Sequence, residues 1–197
     1  MHDREMIHGD LKGVRLRTPV YSLPPDAHFI KANILIDQNG FARLADFGLL
    51  TIISDPTNYT VSSSAMTHGT TRWMSPELLD PDQFEFCDGQ PTKKSDCYAL
   101  GMVIYEVLSG KAPFMPLKEY IVMRKVLEGE RPGIPEGSDG VWFTDGLWRM
   151  VNRCWTTQPE SRPSAEAILD CLERDSGTWR SPSRMDEGND DWNLAEV

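Results

Sequence analysis

Asp10, Lys12, Asn33 and Asp46 are the residues whose types and neighbours could do chemistry. Each lies beside a strand or turn of a short hairpin pattern, and such an element can hold a side chain rigidly. Two carboxylates and an amide could hold magnesium, which prefers oxygen ligands and shares them with substrate phosphates. Asn33 and Asp46, at opposite ends of the hairpin, are the sensible ligands, and Asp10 is then available to orient a nucleophile. Taken singly, Asp10 or Asp46 reads equally well as a turn cap, because short carboxylates bond to nearby backbone.

The elements that must position these residues are legible in the periodicity. "NILIDQNGFARLADFG" is two short alternating runs joined at Gln38, Asn39 and Gly40, and Asn-Gly is a strong hairpin signal. From Asp96, the residues Leu100, Val103, Ile104, Val107 and Leu108 fall on one helical face, with "SGKAP" as the stop. A second helix runs through Leu147, Met150, Val151, Cys154 and Trp155 and ends before "QPESRP". A third follows Pro163, with Ser164 as N-cap, Glu166 in the first turn, and Ala165, Ile168, Leu169 and Leu172 as the apolar stripe. A weaker amphipathic helix covers about Leu117 to Leu127. The Ser- and Thr-rich stretch Thr51 to Thr71 reads as a long loop. The fold class is thus mainly α with one small β-hairpin.

With 197 residues and 40% hydrophobic content, the chain suits one domain, placed at residues 1–175, followed by an acidic tail at 176–197. Cys87, Cys97, Cys154 and Cys171 form no C-x-x-C pair, so neither zinc nor a disulfide framework is indicated, and the setting reads as reducing and cytoplasmic. The net charge of -10 disfavours nucleic acid as a partner, since phosphate binding needs a clustered positive field. The apolar run Cys97 to Leu108 is too short to span a bilayer, and no membrane association is expected.

Five motifs then occur in one order: "HGD" at His8 to Asp10, "DFG" at Asp46 to Gly48, "GTTRWMSPE" at Gly69 to Glu77, "SDCYALG" from Ser95 and "CWTTQPESRP" from Cys154. Together they resemble the C-terminal, catalytic lobe of protein kinases over about residues 1 to 173. The resemblance implies ATP and magnesium as cofactors and a protein substrate. It makes Asp10 the catalytic aspartate and Lys12 the lysine that steadies the γ-phosphate, a mark of serine/threonine kinases. Asn33 and Asp46 become the magnesium ligands, Phe47 the packing residue of the switch and Gly48 its hinge. Thr70 resembles the threonine that contacts the catalytic aspartate, and Glu77 and Arg162 the family's buried bridge. Asp96 resembles the aspartate that holds the catalytic loop by its backbone. Thr60, Ser62, Ser63, Ser64 and Thr67 are candidate phosphosites, although Gly9 replaces the arginine through which such phosphates usually act. "GTTRWMSPE" and "CWTTQPESRP" are closest to the tyrosine-kinase-like group of serine/threonine kinases, and "HGDLKG" with them is similar to kinases of mushroom-forming fungi.

Two departures qualify the likeness. No glycine-rich loop, strand lysine or paired helix glutamate lies ahead of "HGDLKG", so the resemblance implies a lobe without its N-terminal counterpart. Such a chain is expected to be inactive by itself and to expose apolar surface that another chain would cover. Moreover, 22 residues separate Asp10 from Asn33 where the family has four. Removing Val14 to Lys31 restores "HGDLKGANILID"; the removed piece lacks helical or strand periodicity and is expected to be a loop. Its 18 codons, or 54 nucleotides, keep the reading frame, and Val14-Arg15, Pro25-Asp26 and Lys31 can encode donor-, branch- and acceptor-like signals. The expectation is an unspliced intron in the gene model. The alternative function from another class is a non-catalytic kinase-like scaffold.

Overall fold

In a computed structural model of the chain, the structure describes residues 6–16, 33–36, 42–45, 51–52, 71–84, 89–136 and 142–176 of the 197. The strands are β1 (Met6–Ile7), β2 (Val14–Leu16), β3 (Ile34–Ile36), β4 (Ala42–Leu44) and β5 (Thr51–Ile52). The helices are α1 (Pro76–Leu79), α2 (Lys93–Ser109), α3 (Glu119–Leu127), α4 (Asp145–Cys154) and α5 (Ala165–Ser176), with single 3-10 turns at Pro81–Gln83 and Pro159–Ser161.

The core forms around α2. Thr92 Oγ1 accepts the Ser95 N–H at 3.0 Å while Ser95 Oγ accepts the Thr92 N–H at 2.8 Å, a reciprocal cap that satisfies two donors of the first turn. This cap sets the start at Lys93, about two turns ahead of Leu100, the first residue of the apolar period. Gly110, at φ 67, ends the helix in the left-handed conformation that glycine takes without steric penalty. Between these ends Cys97, Tyr98, Ala99, Gly101, Met102, Val103 and Ile104 are all buried, so the helix is enclosed around its circumference and not along one stripe. It emerges only near its end. Val107, expected on the buried face, is 55% exposed, while Tyr105 packs on Phe143 and Trp155 and Glu106 accepts the Trp73 indole N–H.

Helix α4 lies against α2 and buries Leu147, Met150, Val151 and Cys154, the face read from its periodicity. Its start is capped by Thr144, whose Oγ1 accepts the Leu147 N–H at 3.1 Å. Ser164 caps α5 by accepting the Ala167 N–H at 3.2 Å. Helix α5 turns Ile168 and Cys171 inward, with Leu172 packed against the same core. Leu169, one residue from Ile168 and so about 100° round the helix, is exposed, contrary to the expected stripe. Cys97, Cys154 and Cys171 are free and buried, and burial, reinforced by the neighbouring Cys97, pushes the Cys154 thiol up to about 12. They behave as apolar packing groups.

The strands form two small sheets. β3 and β4 pair antiparallel in the expected hairpin, with Ile34 opposite Leu44 and Ile36 opposite Ala42. On the other edge of β3, β2 pairs in parallel, Val14 with Ile34 and Leu16 with Ile36. This corrects the expectation of a loop from Val14 onward: three residues are too few to show a period, and the pairing is set by an edge more than a dozen residues away. Likewise Thr51–Ile52, assigned to the polar loop, pairs antiparallel with Met6–Ile7.

Gly101 marks the closest approach of α2 to α4. A Cβ there would lie 2.7 Å from Cys154 Cβ and 2.9 Å from Trp155 Nε1, distances that two packed helices can relieve only by moving apart. Gly101→Ala is expected to destabilise the protein by about 1–3 kcal/mol, as overpacked cores do. Urea unfolding reads this directly, and a midpoint equal to that of the unsubstituted chain would contradict the packing.

Candidate active site

The segment after β1 is fixed to the helical core by one carboxylate. Asp96, in the first turn of α2, accepts the His8 N–H at 2.8 Å and the Gly9 N–H at 2.9 Å, one on each oxygen. Gly9 sits at φ 78, where a side chain would be strained. His8 is fully buried. Its Nδ1 accepts the Asp10 N–H at 3.3 Å, so its Nε2 carries the hydrogen and donates to the Ala45 carbonyl at 3.1 Å. His8 therefore links Asp10 to the residue that precedes Asp46.

Asp10, Lys12 and Asn33 come together next. Lys12, almost wholly buried, places Nζ 2.6 Å from Asp10 Oδ2. The Asn33 amide nitrogen donates to the Asp10 carbonyl and, at 3.2 Å, to Asp10 Oδ2. Asn33 is itself held by its backbone: its N–H donates to the Lys12 carbonyl at 2.9 Å, and its carbonyl accepts the Ala45 N–H at 2.8 Å. With the amide nitrogen directed at Asp10, the side-chain oxygen is the atom suited to a hard cation. Three groups of complementary charge and polarity thus meet although 23 positions separate Asp10 from Asn33.

A wall stands beside Asp10. A small cavity is lined by Gly9, Asp10 and Leu11 on one side and by Trp73, Met74 and Ser75 on another. Trp73 donates its indole N–H to Glu106 at 3.1 Å, and Arg72 donates to the carbonyls of Pro113 and Leu117. Behind the wall, Glu77 and Arg162 form a bidentate pair at 2.6 and 2.7 Å, both side chains buried. Arg162 also donates to the carbonyls of Thr156 at 2.9 Å, Lys94 at 3.1 Å and Thr157 at 3.2 Å, and packs on the Tyr98 ring. Every nitrogen of this buried cation therefore has an oxygen partner, the condition under which a buried charge is tolerated.

Of the residues singled out from the sequence, the structure thus describes Asp10, Lys12, Asn33, Glu77, Asp96 and Arg162. Asp46, Phe47, Gly48 and Thr70 lie outside the described residues, as do Thr60, Ser62, Ser63, Ser64, Thr67 and the tail from residue 177. Among the described residues no group of three or more His, Cys, Asp or Glu could hold a metal ion, and Asn33 is the one proposed magnesium ligand among them. None of the described helices is long and apolar enough to cross a membrane. The linking role of His8 and the anchoring role of Arg72 were not read from the sequence; both residues sit inside quoted motifs, but their partners are in distant segments.

Comparison with known proteins gives the family. Residues 29–172 match the model of the protein tyrosine and serine/threonine kinase family, and the chain belongs to that family. A probable serine/threonine-protein kinase of Dictyostelium discoideum is 30% identical over 141 residues, which are 72% of this chain and 14% of that protein. A light-sensor protein kinase of Ceratodon purpureus is 34% identical over 184 residues, 87% of this chain and 13% of that protein. The serine/threonine-protein kinase mos of Patiria pectinifera is 32% identical over 146 residues, 73% of this chain and 38% of that protein. The chain is a protein kinase by family, and its alignments cover well under half the length of these relatives.

The buried pair gives a stability test. Glu77→Gln keeps the shape but leaves the Arg162 charge without its counter-ion, and a loss of about 3–5 kcal/mol is expected. Arg162→Met should cost at least as much, because it strands the Glu77 carboxylate and removes the donors to three backbone carbonyls. Denaturant unfolding of both variants checks the order; losses below about 1 kcal/mol, typical of exposed pairs, would show that the bridge is not buried in solution.

Proposed function

We propose that the described fold is the helical C-terminal lobe of a kinase that transfers the γ-phosphoryl group of MgATP to a serine or threonine hydroxyl of a protein. The observation that carries this reading is the convergence of Asp10, Lys12 and Asn33 within hydrogen-bonding reach of one another. Asp10 orients the substrate hydroxyl and takes its proton as the oxygen attacks phosphorus and the bond to the departing ADP oxygen breaks. Lys12, whose Nζ lies 2.6 Å from Asp10 Oδ2, supplies the positive charge for the γ-phosphate oxygens. The Asn33 side-chain oxygen and the Asp46 carboxylate are the hard donors for magnesium, which when bound neutralises charge on the phosphates. Phe47, Gly48 and Thr70 take the switch, hinge and aspartate-contact roles of the family.

The finer assignment is to the tyrosine-kinase-like group, fungal type. Its support is "GTTRWMSPE", Gly69 to Glu77, together with "HGDLKG" and "CWTTQPESRP". Gly9 gives the catalytic loop no cation for a phosphate on Thr60, Ser62, Ser63, Ser64 or Thr67, so ordering of that segment by phosphate is not part of the proposed mechanism.

Residues 14–31 are proposed to be absent from the working enzyme. The family match begins at residue 29, inside this piece and close to its end. Removing Val14 to Lys31 joins Gly13 to Ala32, and the existing bond from the Asn33 N–H to the Lys12 carbonyl then spans a β-turn. The spliced transcript is expected to lack the 54 nucleotides that encode this piece, and an abundant message that retains them would overturn the proposal.

Activity is tested by comparing MgATP-dependent phosphorylation by this chain with that by a form extended upstream and lacking Val14 to Lys31. The expected outcome is transfer by the restored form and none by the chain alone. A restored form that neither binds MgATP nor labels a protein substrate would leave the scaffold reading in its place.

A further inference from the structure

Ser75 carries a hydroxyl that the hydrogen bonding of the fold does not use. The residue is 1% exposed, and its Oγ has no hydrogen-bond partner among the described residues. A hydroxyl in that position gives up the hydration of the unfolded chain, and nearly all such groups in folded proteins bond to protein or to ordered water instead. The backbone of Ser75 is fixed, since its carbonyl accepts the N–H groups of Leu78 at 3.0 Å and Leu79 at 3.1 Å. Its side chain can still turn among three staggered positions about one bond. Ser75 also lines the cavity beside Asp10, whose lining includes Ser95 and Asp96 in the first turn of α2. The volume is about 20 Å³, and roughly 10–15 Å³ suffices for one water molecule. None of the hydrogen bonds described joins the wall at 73–75 to the segment from His8 to Asp10, although both border this space.

We propose that this cavity is a binding site for one water molecule, held between the Ser75 hydroxyl and the Asp96 carboxylate. The charge decides the orientation. Asp96 accepts the amides of His8 and Gly9, one on each oxygen, and a carboxylate offers about four acceptor sites in all. A water hydrogen points to that carboxylate, which leaves the water oxygen to accept the Ser75 O–H, so each bond polarises the next. Ser95 is not the partner, because its hydroxyl accepts the Thr92 N–H at 2.8 Å and donates to the Thr92 carbonyl at 2.9 Å. A bridging water is nearly as favourable in enthalpy as a direct hydrogen bond. Through it the wall is tied to the same carboxylate that holds the segment carrying Asp10, and the two sides of the cavity move as one piece. The inference does not depend on the kinase reading.

Urea unfolding of the full chain and its Ser75→Ala variant tests the site by the sign of the change. Alanine adds no volume, so the variant removes the hydroxyl alone. If water satisfies the hydroxyl, Ser75→Ala loses one ordinary hydrogen bond and the unfolding equilibrium constant rises about fivefold. If nothing satisfies it, alanine relieves a buried polar group and the constant falls; a fall, or no change, overturns the proposal. A crystal structure of the full chain reads the site directly. The expected density is one water within about 2.7–3.2 Å of both Ser75 Oγ and an Asp96 carboxylate oxygen, and it should be missing from the variant. A Ser75 hydroxyl bonded straight to a protein oxygen, a metal cation in the cavity, or a water that stays in place without the hydroxyl would each overturn it.

Discussion

The site depends on one buried carboxylate accepting two backbone hydrogens. Asp96 is 2% exposed, and an ionised group so placed is tolerated only with strong partners. It has them in the amides of His8 and Gly9, and its place in the first turn of α2 adds the favourable field of a helix start. Because α2 is enclosed on all sides through most of its length, its first turn is a rigid reference point. Asp10, one residue beyond Gly9, inherits that rigidity. The segment from His8 to Asp10 is thus held by the helical core.

The same logic explains how the constellation survives a long excursion of the chain. Asn33 is not placed by its sequence distance from Asp10. It is placed by a main-chain bond on each side, to Lys12 and to Ala45, and by an amide that meets Asp10 directly. The chain is stitched where Lys12 meets Asn33, and loop-closure entropy grows slowly with the number of residues between. The parallel pairing of β2 with β3 extends this stitching by three residue pairs. The hydrogen bonds at its base carry the geometry of the site.

What the sequence made legible follows from the range of the forces involved. Helices α2, α4 and α5 announced themselves because an amphipathic period is written within a dozen residues, and caps such as Ser164 lie next to what they cap. The errors fall where the period is a poor guide. Val107 and Leu169 were assigned inward because apolar residues continue the pattern there, but α2 is buried all round before it emerges and α5 presents a narrower stripe than its composition allows. β1, β2 and β5 have two or three residues each and exist only through partners far along the chain, so no local signal marks them. Arg72 lay within a recognised motif, yet its role depends on carbonyls 41 and 45 positions away.

Residues of the motifs work as halves of long-range links, which is why their order carries more information than any one of them. "HGD" is bonded to the "SDCYALG" aspartate across 88 and 87 positions, and the glutamate of "GTTRWMSPE" to the arginine of "CWTTQPESRP" across 85. Each half alone is a polar residue that would be costly to bury; only the matched half makes burial favourable. Selection of either half therefore constrains the other, and both constrain the helix between them. The Glu77–Arg162 pair fixes the wall to the region between α4 and α5, Asp96 fixes the reactive loop to α2, and Lys94 ties the two systems through reciprocal bonds with the Arg162 segment. The charged core is thus continuous from the reactive loop to the wall that faces it. The Asp10, Lys12 and Asn33 cluster and the wall at 72–75 thus stand on one rigid frame.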